Sequence, residues 1–363
     1  MQNNIEIGFH LQEGMKMQKI RVGIVGYGPS ATTFHVPFLQ ASEHYEIVAV
    51  LSSKPEKVKA DLGDVQVVSQ LQELLQHPKM ELVIITAPTS LHYEMVKEAI
   101  HAGVHIVVEK PFVVTTQEAD ELIELNKPTG KVLSVYQNRR WDNDFLTIQR
   151  LYQEGRLGDI YHFESHYDRY RPEVRDRWRE NAGPGSGILY DLGSHLLDQA
   201  IMMFGMPKAV TADVQAQRPG AKTDDYFHVI LQYERLRVIL HAGMLTVQPG
   251  PRFQVHGDKG SYSKFGFDVQ EGAIRNNQPL NAPNWGQEEK EWYGELTTMV
   301  EGRPVTEKIV SEKGSYQRYY DKLYEAIRLG KNVPVRAEQA RMNIFLIEVA
   351  FKSSREGRTI YID

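Results

Sequence analysis

Asp191 and His195 stand four residues apart, with Asp198 three further on, in the run Gly187-Ile188-Leu189-Tyr190-Asp191-Leu192-Gly193-Ser194-His195-Leu196-Leu197-Asp198. On a helix this spacing places all three on one face. A histidine beside a carboxylate, entered from the glycine-rich stretch 183–187, suits general acid–base work near neutral pH. The same spacing can ligate a metal, or set a carboxylate at a helix N-terminus above a core histidine. Lys110, in Glu109-Lys110-Pro111, follows an apolar stretch at 105–108. Its ammonium can stabilise a developing alkoxide and pass on a proton, while Pro111 fixes the local backbone, with a cis peptide as one option. Taken alone, a lysine before a proline is more often an ordinary surface residue.

A third feature can hold a cofactor. Gly26-Tyr27-Gly28-Pro29-Ser30-Ala31 fits G-x-G-x-x-A between a strand pattern and a helix pattern. Gly26 permits the tight turn, Gly28 admits a pyrophosphate close to the backbone, and Ala31 lets the helix pack on the strand; the helix N-terminus then faces the anion. The bland alternative is a structural turn with incidental glycines. After the second strand, where a carboxylate would hold the ribose hydroxyls of NAD, the chain reads Leu51-Ser52-Ser53-Lys54. Serine hydroxyls and a lysine suit a 2′-phosphate, which favours NADP and leaves NAD possible; a plain solvated loop is the alternative. The candidate cofactor contacts are therefore Gly26, Tyr27, Gly28, Pro29, Ser30, Ala31, Ser52, Ser53 and Lys54, with Thr86, Pro88 and His92 after a later strand, and Glu109 and Lys110. Two polar and aromatic stretches, Asn138-Arg139-Arg140-Trp141-Asp142 and 167–179, can grip a polyol through Asn138, Arg140, Trp141, Tyr167, Arg171 and Trp178, or can equally contact a neighbouring subunit. No metal site is assigned.

These residues need elements to hold them. Short apolar runs at 20–25, 45–51, 82–85, 105–108 and 132–136 read as strands, and 90–102 and 116–126 carry helical spacing, the latter opened by a Thr115/Glu118 capping box. Nearly continuous apolar strands alternating with helices predict a parallel sheet covered on both faces. Beyond Trp141 a helix at 145–154 precedes strand patterns at 160–170, 209–217, 226–233, 237–242 and 252–256, which suggest an antiparallel sheet with one covered face. Helices follow at 191–204, 316–329 and 337–353, and 276–286 reads as a polar loop. The chain divides into an extension at 1–18, a nucleotide-binding domain at 19–138 and a second domain at 139–363. A purine-rich codon pair at Glu13-Gly14 would resemble a ribosome-binding site upstream of Met17, so translation from Met17 is one reading of the extension.

Composition narrows the partners. A 363-residue chain with 41% hydrophobic and 25% charged residues is expected to form two globular domains. A net charge of −5 gives no bulk attraction for nucleic acid or an anionic membrane, so a small molecule is the better partner. The chain contains no cysteine, which excludes thiolate chemistry and is compatible with a reducing, cytoplasmic setting; neither a membrane span nor a signal peptide is expected.

In order and spacing, Gly26-x-Gly28-x-x-Ala31, Glu109-Lys110-Pro111 and Asp191-x-x-x-His195-x-x-Asp198 together resemble the Gfo/Idh/MocA family of oxidoreductases. The segments 138–142, 170–174 and 187–199 look most like its branch of NADP-dependent scyllo-inositol 2-dehydrogenases. The resemblance implies an α/β fold: an N-terminal Rossmann domain with a doubly wound parallel sheet, and a C-terminal α/β domain with a large open antiparallel sheet whose outer face often joins a homodimer or homotetramer. It implies that His195 removes a hydroxyl proton, Lys110 orients and stabilises the oxygen, and Asp191 holds a neighbouring hydroxyl. The implied reaction is hydride transfer between NADP(H) and a secondary alcohol or ketone of a cyclitol such as scyllo-inositol. A dehydrogenase of an aldose or other sugar derivative is the alternative, and an NADP-binding redox or metabolite sensor is the alternative of a different class.

Overall fold

The computed structural model describes residues 18–362. The readings on 1–17, including a start at Met17, lie outside these residues. β1 (Ile20–Val25) is followed by a π-helical turn at Ala31–His35, α1 (Val36–Ala41), β2 (Tyr45–Leu51), α2 (Pro55–Leu62), β3 (Gln66–Val68) and α3 (Leu71–Leu75). Then come β4 (Leu82–Ile85), α4 (His92–His101), β5 (His105–Glu109), α5 (Thr116–Asn126) and β6 (Leu133–Tyr136). The six strands form one parallel sheet in the order β3-β2-β1-β4-β5-β6. Its central strands are buried on both faces, as in Leu82, Val83, Ile84 and Ile85, because helices cover both sides. Thr115 caps α5 in a box with Glu118. Register matters most for the site: Val25 pairs with both Leu51 and Ile85, and Ile85 with Val108. The strands therefore end together, and the loops starting at Gly26, Ser52, Thr86 and Lys110 share one edge.

The second half contributes α6 (Asn143–Gln153), β7 (Ile160–His166), a π-helical turn at Leu189–Gly193, α7 (Ser194–Phe204), β8 (Ala209–Gln215), β9 (Tyr226–Gln232) and β10 (Arg237–Gly243). β11 (Phe253–Gly257), β12 (Gly260–Lys264), α8 (Gln270–Arg275), β13 (Gly294–Val300), β14 (Arg303–Ile309), α9 (Gln317–Leu329), α10 (Ala337–Glu356) and β15 (Ile360–Tyr361) complete it. Nine strands form an open sheet in the order β14-β13-β12-β11-β7-β10-β9-β8-β15. The expected antiparallel sheet is in fact mixed, because β7 and β10 run parallel. A long crossover through the 167–204 segment and back through β8 and β9 separates these two neighbours, as a parallel pair requires. Alternation is clear in β9, where Phe227, Val229 and Leu231 are buried and their neighbours half-buried. α7 and α10 cover the inner face, and α10 also packs on α5, joining the two halves.

Candidate active site

Lys110, Asp191 and His195 meet in a cleft of about 310 Å³ at the carboxyl edge of the parallel sheet. Lys110 is delivered by the end of β5, and its peptide bond to Pro111 is cis. Asp191 lies in the π-helical turn at Leu189–Gly193 and His195 in the first turn of α7, so the widened turn, rather than one regular helix, sets their spacing. Lys110 Nζ donates to the Asp191 carbonyl at 2.6 Å and to its Oδ1 at 3.0 Å. Arg179 Nε approaches the same Oδ1 at 3.2 Å. Burial pulls the Lys110 ammonium below its ordinary range; Asp191 opposes this and Arg179 adds to it. Burial would raise the Asp191 carboxyl, but Lys110 and Arg179 outweigh it and hold it well below the usual carboxylate range. Burial drives the His195 imidazole far below its ordinary value, and the cations of Lys110, Arg139, Arg252 and Arg169 add to that. His195 Nδ1 is buried and has no hydrogen-bond partner among the described residues. The arrangement therefore offers a neutral proton acceptor, an ammonium tied to a carboxylate, and space between them for a small polar molecule.

Two models of one oxidoreductase family match the chain: "NAD-binding Rossmann fold" over residues 20–137 and "C-terminal alpha/beta domain" over residues 150–362. This chain is a member of the Gfo/Idh/MocA oxidoreductase family. It is 48% identical over 348 residues to scyllo-inositol 2-dehydrogenase (NADP(+)) IolW of Bacillus subtilis (strain 168), covering 96% of this chain and 97% of that protein. The solved structure of the oxidoreductase yvaA from Bacillus subtilis superposes with a TM-score of 0.94 at 48% identity, covering 96% of this chain and 99% of that one. D-glucoside 3-dehydrogenase of Escherichia coli (strain K12) is 29% identical over 208 residues, covering 56% of this chain and 59% of that protein.

Membership of the Gfo/Idh/MocA family brings an NAD(P)-binding domain, and the residues present fit such a group. Gly26 has φ +87°, and a Cβ there would lie 2.9 Å from Thr86 Oγ1, so only glycine fits the turn. Gly28 lines the cleft and a Cβ on it would meet nothing within 4 Å, so its backbone is open to a phosphate-bearing ligand. Pro29, Ser30, Thr86, Pro88 and Glu109 line the same cleft. Ser30 Oγ donates to Glu109 Oε1, which also lies 3.0 Å from His35 Nε2; Glu109 Oε2 accepts from the Lys110 N–H at 3.1 Å. Burial raises the Glu109 carboxyl, yet His35, Ser30 and Lys110 together hold it at about 2. Ala31 is fully buried at the helix–strand contact. Ser52 Oγ accepts from the Lys54 N–H at 3.0 Å, and Ser53 and Lys54 are exposed at the end of β2, outside the cleft itself.

Several expected contacts lie elsewhere. The Tyr27 ring is buried facing Lys57 of α2, and Tyr27 does not line the cleft. His92 is fully buried, with Nε2 2.9 Å from the Ala87 carbonyl and Nδ1 2.9 Å from that of Pro111. It ties two lining loops together instead of facing a ligand. Asn138 and Trp178 do line the cleft, whereas Arg140, Trp141, Tyr167 and Arg171 do not. Arg140 is closed off by a buried two-bond pair with Asp198, both at 2.7 Å, which also takes Asp198 out of the cleft. Trp141 packs edge-on against Tyr319. Tyr167 stacks on Phe267 and supports the guanidinium groups of Arg139 and Arg169 from below. The Arg171 N–H donates to the Met244 carbonyl at 2.7 Å, and its half-buried side chain lies outside the lining. Arg139, Arg169, Arg179, Glu271 and Arg275 are lining residues that the sequence reading did not single out. The first three lie inside the polar and aromatic stretches 138–142 and 167–179, where residue type alone does not separate them from their neighbours. Glu271 and Arg275 come from α8, whose only local sign is their four-residue spacing.

Proposed function

We propose that the chain catalyses reversible oxidation of a secondary alcohol on a cyclitol or related sugar, with NADP as the redox partner. The observation that carries this is the enclosure of Lys110, Asp191 and His195 in one cleft with the Gly28–Ser30 turn. Gly26, Gly28, Ser30 and Glu109 would hold the dinucleotide, and the exposed Ser53 and Lys54 would meet a 2′-phosphate. When bound, the nicotinamide supplies or accepts the hydride. His195, kept neutral by its surroundings, takes the hydroxyl proton during oxidation and returns it during reduction. Lys110 donates to the same oxygen and stabilises the charge that develops on it. Asp191 holds Lys110 in place and accepts from a neighbouring hydroxyl. Asn138, Trp178 and the arginines orient the remaining polyol face. The 48% identity to an NADP-dependent scyllo-inositol 2-dehydrogenase supports the cyclitol; similarity to a D-glucoside 3-dehydrogenase supports a sugar derivative as the second reading.

Following NADPH absorbance against a panel of oxidised cyclitols and sugars tests the proposal. Lys110→Met and His195→Ala should each lower turnover by about 10²-fold or more while sparing NADPH binding. Full activity in both variants refutes the assignment, and tight NADPH binding without turnover across the panel favours a sensor.

A further inference from the structure

The strand that leads to Tyr167 and Arg169 turns other side chains to the opposite side of the nine-stranded sheet. Alternation along β7 brings His162, Glu164 and His166 out together, and Asp168 continues that row. The parallel neighbour β10 sets His241 in register with His166. Asp168 lies between the two rings, with Oδ1 2.8 Å from His241 Nδ1 and Oδ2 3.3 Å from His166 Nδ1. None of the three residues lines the cleft.

We propose that His166, Asp168 and His241 form a binding site for one divalent transition-metal ion of the Zn²⁺ class, with a further position left to water. Their ligand atoms lie within 4.8 Å of one another. Zinc bonds of about 2.0–2.2 Å in tetrahedral array set ligand atoms roughly 3.3–3.6 Å apart, against the 2.8 and 3.3 Å that separate the two Asp168 oxygens from the His241 and His166 nitrogens. Two imidazoles and one carboxylate are a donor set that zinc accepts. The surroundings support those donors. His166 Nε2 lies 3.1 Å from Glu164 Oε2, so a proton on that nitrogen is held by a carboxylate while Nδ1, 3.3 Å from Asp168 Oδ2, faces the site. Glu164 is itself anchored by His162 at 2.7 Å, and Asp168 Oδ1 accepts from the Gly243 N–H at 3.1 Å. His241 Nδ1 is buried and makes no aligned hydrogen bond among the described residues, although Asp168 is so near. An ion there would pin the extension of β7 to β10 directly behind the segment bearing Arg169.

Full-length protein stripped with chelator and titrated with ZnCl₂ by calorimetry should take up one equivalent that His166→Asn/His241→Asn loses, with a rise in Tm that the double variant lacks. Co²⁺ should give visible d–d absorption of low coordination number in the wild type alone. Glu164→Gln should keep the stoichiometry and weaken affinity by about 10–100-fold. Absence of uptake by the wild type, or equal uptake and affinity in the double variant, overturns the proposal. Should the double variant fail to fold, unchanged affinity in Glu164→Gln overturns it.

Discussion

His195 owes its proposed role to its neighbours as much as to its own chemistry. Burial depresses its proton affinity most, and Lys110, Arg139, Arg252 and Arg169 add to this. A lowered value means that the ring stays neutral as pH falls through the ordinary histidine range. The acidic limb of kcat/KM for alcohol oxidation should therefore lie below pH about 6.5, and Arg169→Gln should move it upward. Glu109 has the opposite lesson for stability. Its ordinary value of 4.5 falls to about 2 in the fold, so its contribution is complete above 4.5 and is lost as pH drops through 2. Between those limits the wild type should lose stability more steeply than Glu109→Gln, as read by urea unfolding at a series of pH values. Such side chains differ in how far the sequence discloses them. Lys110, Asp191 and His195 are legible because each sits in a short local pattern. Arg139 and Arg140 are adjacent in sequence, yet one faces the cleft and the other Asp198; which does which depends on partners 58 or more residues away.

At the scale of elements, the proposal of NADP over NAD rests on the β2–α2 connection. Ser53 and Lys54 are exposed there, without a carboxylate. Ser53→Glu should weaken NADPH binding by about tenfold, equivalent to about 1.4 kcal/mol, and leave NADH binding nearly unchanged in parallel titrations. The turn after β6 is held to α7 by Arg140 and Asp198, both buried. Arg140→Met strands a buried carboxylate and should cost about 3–5 kcal/mol in denaturant unfolding. Most strands of the parallel sheet are readable because apolar residues nearly fill them, with only single polar interruptions such as Arg21, Glu46 and Ser134. β3 is not, being only three residues long. The hairpin β13–β14 escaped notice because β14 is exposed along almost its whole length and carries Arg303, Glu307 and Lys308; hydrogen bonding to β13, not burial, defines it. The parallel pairing of β7 with β10 leaves no local mark, since each strand alternates as it would in an antiparallel sheet.

Across the whole molecule, the packing does not respect the boundary expected at 138–139. α9 belongs to the second half of the chain but lies against the nucleotide-binding half. Its Tyr319 meets Tyr136 at 4.7 Å and Ser134 Oγ at 2.8 Å, and Tyr320 packs against Phe38, His35 and Tyr45. Tyr324 stacks on His44, while Arg328 pairs with Glu81 and donates to the carbonyls of Gln18 and Lys19. The helix thus runs from β6 to the amino ends of β1, β2 and β4. Tyr320 also reaches His35, which touches the cleft-lining Glu109, so the same helix braces the floor of the cleft. A fragment of residues 19–138 would expose this aromatic surface to water, forfeiting about 25 cal/mol for every Å² of apolar area laid bare. It should bind a hydrophobic dye, melt without a cooperative transition, and bind NADPH much more weakly than the full chain. Tyr320→Ala in the intact protein should reproduce part of that loss, costing about 3–5 kcal/mol if it behaves as other large aromatic truncations do. Cooperative melting of the fragment with undiminished NADPH affinity would show that the nucleotide-binding half is autonomous and that α9 merely rests on it.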